Sequence, residues 1–186
     1  MKIEFEDILK VDGELLELVR IWRNSKHVSQ YMYTNHHITR EEHQRWLENL
    51  KIKNTAKAWI IRCDEKPIGI VSLSNIDYRN KTTEWGFYIA DESMRGKGVG
   101  STALYKLMKY VFDEMNFNKM YTKVLGNNRV AIKLYEKFGF KKKGMLEKTL
   151  FRNGRRIHVF LMEISENGWE KIKGQYVNNE SVGKYE

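Results

Sequence analysis

A glycine-rich bend set between a strand and an amphipathic helix constrains this chain more than any other feature. Residues 95–100 read Arg-Gly-Lys-Gly-Val-Gly. Thr83 to Ile89 before them reads as a strand. Ser101 to Met115 after them carries Leu104, Leu107, Met108, Val111 and Phe112 at three- and four-residue steps, as a helix with one apolar face requires. Glycines let backbone N–H groups converge, and a helix N-terminus adds unpaired donors and the positive end of its dipole. Arg95 and Lys97 add positive charge. The expected guest is a phosphate or a diphosphate.

Two common phosphate motifs do not match. A Walker A loop needs four residues between its first glycine and a Gly-Lys-Ser/Thr ending. A dinucleotide fingerprint is Gly-x-Gly-x-x-Gly after the first strand, whereas here Gly96, Gly98 and Gly100 alternate mid-chain. The spacing that does match is Arg-x-x-Gly-x-Gly, on Arg95, Gly98 and Gly100. A second segment, residues 127–140, reads Asn-Asn-Arg-Val-Ala-Ile-Lys-Leu-Tyr-Glu-Lys-Phe-Gly-Phe. Asn128 is a good helix N-cap and Gly139 a good terminator. Ala131, Leu134, Tyr135 and Phe138 share one face of the helix between them, with Asn128 two turns from Tyr135. On pattern alone Tyr135 is a core aromatic and Asn128 a simple cap.

Together the two segments resemble the GNAT family of N-acetyltransferases, over about residues 55–164 and in the family's order. The resemblance implies an α/β fold: a mixed, mostly antiparallel sheet flanked by helices, with two central strands splayed apart. It implies acetyl-CoA as cofactor. Arg95, Gly96, Lys97, Gly98, Val99, Gly100 and Ser101 would hold the diphosphate. Phe87, Tyr88 and Ile89 would offer main-chain groups to the pantetheine arm, as an added strand would. Asn128 and Ala131 would lie along that arm, with Tyr135 beside the sulfur.

The chain has 186 residues, the length of one domain. The expected domain is 1–166, followed by a polar tail, 167–186, with at most a short helix around Trp169. No stretch is apolar enough to span a membrane, and the first residues are no signal peptide. The single cysteine, Cys63, sits in an apolar run and reads as a strand residue in a reducing, cytoplasmic setting. No Cys or His grouping has metal-site spacing. A net charge of +9 favours anionic partners. No helix-turn-helix, zinc-finger or RNP signature accompanies it, so nucleic acid is not an expected partner.

Ile3 and Phe5 alternate with charges as on an edge strand. Residues 13–23 and 39–53 read as helices, the second with a capping box of Thr39 and Glu42. Ala58–Cys63 and Ile68–Leu73 read as a hairpin around a turn holding Pro67. Phe140–Phe151 and Arg156–Ile164 form another around Asn153-Gly154, a type I′ signal.

The implied reaction moves an acetyl group from a thioester to an amine that must first lose a proton. Tyr135 is the expected general acid for the departing sulfur. Glu84, at the splay, is the first choice of base and His43 the second, and Glu84 also reads as a solvent-facing strand end. Lys123 stands near the place where many relatives carry a carboxylate. The segment from Trp22 to Trp46 resembles the branch that acetylates a UDP-linked 4-amino sugar in pseudaminic acid synthesis. On that resemblance Met32, Tyr33 and Trp46 flank the nucleobase, while Arg23 and His43 face phosphate or sugar. Ordinary helix packing for Trp22 and Trp46 and a surface ion pair for Arg23 are the alternatives. A polyamine acetyltransferase, a ribosomal-protein N-terminal acetyltransferase and a CoA- or nucleic-acid-binding module are the rival readings. A homodimer is compatible with all of them.

Overall fold

Each apolar run finds its place in a computed structural model that describes residues 1–152 and 154–180. The strands are β1 (Ile3–Asp7), β2 (Lys57–Cys63), β3 (Lys66–Asp77), β4 (Thr82–Ile89), β5 (Lys119–Leu125), β6 (Lys141–Arg152) and β7 (Arg155–Ser165). The helices are α1 (Gly13–Asn24), α2 (Lys26–Ser29), α3 (Arg40–Ile52), α4 (Val99–Lys109), α5 (Arg129–Lys137) and α6 (Glu166–Glu180). One sheet runs β1-β2-β3-β4-β5-β7-β6, antiparallel except where β4 meets β5. This is the expected mixed sheet, with β1 at its edge.

Two apolar layers cover it. On one face Leu104, Leu107 and Met108 of α4, Val111 and Phe112 just after it, Ile132 of α5 and Trp169 of α6 are buried in one cluster with Val71, Trp85 and Met120 of the sheet. On the other, α1 and α3 bury Val19, Leu47 and Leu50 against Ile60 and Ile70. Each side chain of this kind contributes about 1.5–3 kcal/mol by leaving water.

Local chemistry sets the ends. Asp12 caps α1 through the Leu15 N–H. Thr39 and Glu42 form the reciprocal capping box at α3. At the end of α5, Gly139 adopts a φ of 79°. Its N–H donates to the Glu136 carbonyl and that of Phe140 to the Tyr135 carbonyl, each at 3.0 Å, closing a Schellman motif. Gly154 has the positive φ that the β6–β7 turn needs; its neighbour Asn153 lies outside the described residues. Between β2 and β3 the turn falls on Asp64 and Glu65, both left-handed at φ 47° and 70°. Pro67 therefore sits not in the turn but in β3, opposite a bulge at Arg62.

The largest departure from expectation is at the C-terminus. The polar segment beyond Glu166 is a helix of 15 residues. Trp169 is fully buried, stacks on Phe112 at 6.1 Å and donates its indole N–H to Asp113 at 2.8 Å. Tyr176 stacks on Phe138 at 4.7 Å. Trp169, Ile172 and Tyr176 follow helical spacing, but with so few apolar residues between them that the pattern is faint. A π-turn at Tyr110–Glu114 follows α4 and carries Asp113. The four-residue α2 was also not expected. Among the described residues no helix is long and apolar enough to cross a membrane.

The helix α6 therefore belongs to the core rather than to a tail. Trp169→Ala is expected to cost ~3–5 kcal/mol and to lower Tm by roughly 10 °C. A thermal melt within about two degrees of the parent would contradict that placement.

Candidate active site

Strands β4 and β5 pair only at Thr82↔Lys119, Thr83↔Met120 and Glu84↔Tyr121. Beyond that point each keeps its outer neighbour: β4 stays on β3 as far as Ile89↔Gly69, and β5 on β7 as far as Leu125↔Val159. The facing edges are left without a strand partner. Phe87, Tyr88 and Ile89 lie on this open stretch. Tyr88 turns its ring away, where burial raises the phenol and its hydroxyl donates to the Val19 carbonyl at 3.4 Å.

The open edge of β4 leads into the glycine-rich bend. Gly96 and Gly98 adopt φ 73° and 76°, a region that side chains rarely occupy. Gly98 is the N-cap of α4, and no side chain caps this helix, whereas Asp12, Thr39 and Asn128 cap α1, α3 and α5. The N–H groups of Val99, Gly100 and Ser101 fall in the first helical turn, before the ladder opens with Thr102 N–H to Gly98 C=O at 3.0 Å. Gly100 sits where a Cβ would rest 3.5 Å from Leu134 and 3.6 Å from Phe87, at the meeting of α4, α5 and β4. Two expectations are refined. The Val99 side chain is buried in the core, so only its N–H serves the bend. The Arg95 guanidinium pairs with Glu92 at 2.7 Å. Among the described residues Lys97 at the bend has no ion-pair partner. An uncapped helix start beside an unpartnered strand edge fits a diphosphate joined to an extended, amide-bearing arm.

On the far side of the opening stands α5. Asn128 accepts the Ala131 N–H at 3.2 Å, so it does cap the helix. Tyr135 is 6% exposed, with its ring edge-on to Trp85 at 4.9 Å. Burial pushes its phenol well above the ordinary tyrosine range. No described protein group hydrogen-bonds its hydroxyl.

The splay opens into a groove of about 620 Å³. Glu84, Phe87, Tyr88, Asn128 and Tyr135 line it from the sheet and α5, and Arg23, Met32, Tyr33, His43 and Trp46 from α1, α3 and the loop between α2 and α3. Ile89, residues 95–101 and Ala131 lie outside this cavity, at the end of β4, on the bend and on α5. The loop is clamped into place. Arg20 Nη1 donates to the Ile38 carbonyl at 3.0 Å, and Asn24 exchanges two hydrogen bonds with the Ile38 main chain at 2.8 and 2.9 Å. Arg23 Nη2 donates to the Thr34 carbonyl at 2.6 Å. Its Nη1 is buried with no partner, and burial lowers the guanidinium from its ordinary value. Arg23 is thus part clamp, part free donor.

His43 is 9% exposed and lies 5.4 Å from the Trp46 ring. Burial lowers its imidazole, opposed in part by a backbone hydrogen bond with Leu16, and Nε2 has no partner. Glu84 is engaged on both oxygens: Asn75 Nδ2 donates to one at 2.8 Å and Lys123 Nζ to the other at 3.3 Å. Asn75 was not foreseen. It sits at a β-bulge in β3 with φ 48°, and an asparagine in that conformation is the only trace it leaves in the sequence. Trp85 was read only as a strand residue. Its indole N–H is buried without a partner beside the groove, which no sequence pattern announces. Cys63 lies buried in β2, and burial raises its thiol, which suits a packing residue.

Comparison with known proteins agrees with this geometry. Residues 9–141 match the acetyltransferase (GNAT) domain model. The chain is 31% identical over 138 residues to acetyltransferase PseH of Campylobacter jejuni, covering 74% of this chain and 84% of the relative. It is 28% identical over 153 residues to spermidine N(1)-acetyltransferase of Vibrio cholerae, covering 82% and 88%. A crystal structure of the Vibrio cholerae spermidine N-acetyltransferase with CoA and spermine superimposes with a TM-score of 0.81 at 23% identity, over 90% of this chain and 98% of that one, which speaks for the fold. The chain belongs to the GNAT family and is an acetyl-CoA-dependent N-acetyltransferase.

Proposed function

We propose that the acceptor is the 4-amino group of a UDP-linked amino sugar, bound in the groove opposite the cofactor arm. The observation that carries this reading is the state of the charged groups lining the groove. Its carboxylates are already engaged: Glu42 by His36 at 3.0 Å and by the capping box, Glu84 by Asn75 and Lys123. Its guanidinium, Arg23, keeps one buried nitrogen without an acceptor. A polyamine needs free carboxylates. A diphosphate needs a free guanidinium, because a buried donor left unpaired is costly. Met32, Tyr33 and Trp46 supply the thioether and flat rings that hold a nucleobase. The kinship with acetyltransferase PseH supports the same branch. The kinship with spermidine N(1)-acetyltransferases makes a polyamine the second reading, which the engaged carboxylates and the net charge of +9 disfavour.

When bound, acetyl-CoA supplies an acetyl group activated as a thioester. The chain's own residues divide the remaining work. Holding both reactants in one groove makes the step nearly unimolecular, worth several kcal/mol. Tyr135 keeps its proton because burial raises it, and its unpartnered hydroxyl is the general acid for the sulfur. The acceptor ammonium must lose a proton before it attacks. Glu84 is held by two donors, whereas His43 presents a bare Nε2 and is kept neutral by burial. On this reading His43 takes the role of base ahead of Glu84, and Glu84 and Lys123 orient the amine; the engaged oxygens of Glu84 and the unpartnered Nε2 of His43 support it. A cytoplasmic location and self-association into a homodimer complete the proposal. The buried free thiol of Cys63 suits a reducing compartment. A dodecameric spermidine N-acetyltransferase of Vibrio cholerae provides an oligomeric precedent.

Three outcomes test these roles. Tyr135→Phe is expected to lower kcat by roughly 10²-fold, and a loss under about twofold would remove Tyr135 from the mechanism. Arg23→Ala is expected to raise KM for the UDP-sugar by ~10-fold or more while leaving KM for acetyl-CoA unchanged. Equal effects on both, or faster turnover of spermidine than of the UDP-sugar by the parent enzyme, speak against the acceptor. The neutral imidazole is the active form and its value is lowered. The acid limb of kcat/KM should therefore fall below pH ~6.5, disappear in His43→Gln and persist in Glu84→Gln. The reverse pattern would return the base to Glu84.

A further inference from the structure

A second cavity, also of about 620 Å³, lies where the loop after β5 meets the β6–β7 hairpin. Arg129, Arg152, Arg155, Arg156 and His158 line it, and among the described residues no carboxylate does. Among the described residues none of the four arginines pairs with an acid, although elsewhere arginines such as Arg20, Arg40, Arg62 and Arg95 do. Arg152 stands directly opposite Arg155 in the β6–β7 register. Like charges facing each other across two strands are destabilising unless something lies between them. Two polar atoms of the lining, Arg152 Nε and His158 Nδ1, are buried with no hydrogen-bond partner. Buried donors without partners are rare enough in proteins that each calls for an occupant. Planar guanidinium forks match carboxylate and phosphate oxygens alike, and four of them without a paired acid suit the more highly charged of the two, a phosphate.

We propose that this cavity is a second anion site, distinct from the glycine-rich bend, that takes a multiply charged phosphate group. Arg129 opens α5, so the dipole of that helix adds to the attraction. Arg155 and Arg156 are exposed and approach the anion from solvent, while Arg152 reaches it from the half-buried side. Arg152 also donates through Nη2 to the Tyr33 carbonyl at 2.7 Å. The anion at Arg152 Nε and the rim of the acceptor groove at Tyr33 thus share one guanidinium. Filling this cavity steadies the loop that carries Met32 and Tyr33. The phosphate has two possible sources, a separate phosphorylated small molecule or the 3′-phosphate of CoA itself.

Calorimetric titration of inorganic pyrophosphate separates them. The protein is first saturated with dephospho-CoA, which occupies the bend but lacks the 3′-phosphate. Saturable pyrophosphate binding is expected, weakened at least ~10-fold in the double variant Arg155→Gln/Arg156→Gln and unchanged in Lys109→Gln, an exposed lysine outside this cavity. Both arginines are exposed, so the double variant is expected to melt with the parent. Repeating the titration with CoA names the source. Binding that survives identifies a separate phosphorylated ligand, and binding that is lost identifies the cofactor's own 3′-phosphate. No saturable binding in the presence of dephospho-CoA, or equal affinity in parent and double variant, overturns the proposal.

Discussion

Beyond Glu84 and Tyr121 two neighbouring strands inside one sheet stop exchanging hydrogen bonds, and the groove and the glycine-rich bend both lie along that gap. Unpaired main-chain groups in a sheet interior cost about 1 kcal/mol or more each when nothing replaces the lost partner. Two features keep the gap open. Outside it, β3 and β7 continue to pair with β4 and β5 along their full lengths. Above it, Trp85, Tyr135 and Phe140 wedge aromatic rings between α5 and the sheet at centroid distances of 4.9–5.9 Å. The sheet therefore keeps an open slot between β4 and β5.

The same gap fixes where charge goes. At its upper end β4 delivers the chain into two left-handed glycines and an uncapped helix, a place for negative charge. At its lower end Glu84, Lys123 and Asn75 close the opening with an ion pair and an amide. Between them the walls are aromatic and the Tyr135 phenol is held protonated by burial. The acceptor side is a separate construction. Its walls come from α1 and α3, and its rim is a loop held by Arg20, Arg23, Asn24 and Arg152. Donor and acceptor thus meet across a slot whose two sides are specified by different parts of the chain. Acceptor choice can change without disturbing the cofactor side.

Much of this was legible in the residues because it is local. The bend needs glycines at 96 and 98 for conformational reasons, the cap of α5 needs Asn128, and the capping box of α3 needs Thr39 and Glu42. Each leaves its mark within a few positions. The helix α6 was hidden because its apolar residues are sparse: Trp169, Ile172 and Tyr176 carry its attachment. Asn75 was hidden because a bulge, not a motif, turns it toward Glu84. The engagement of Arg23 with Thr34 and of Glu84 with Lys123 depends on contacts between distant segments, and spacing along the chain cannot reveal these. Nor could it reveal that four arginines near Gly126 lack counter-ions among the described residues, since that is a statement about what fails to surround them.

Amide hydrogen exchange read residue by residue, with and without CoA, tests the central claim most directly. If the cofactor completes the sheet at the gap, the N–H groups of Phe87 to Ile89 that face it and those of Gly96 to Ser101 gain protection together, while the paired stretch Thr82 to Glu84 stays as it was. If CoA binds and both segments exchange at their former rates, the slot between β4 and β5 is not where the cofactor lies.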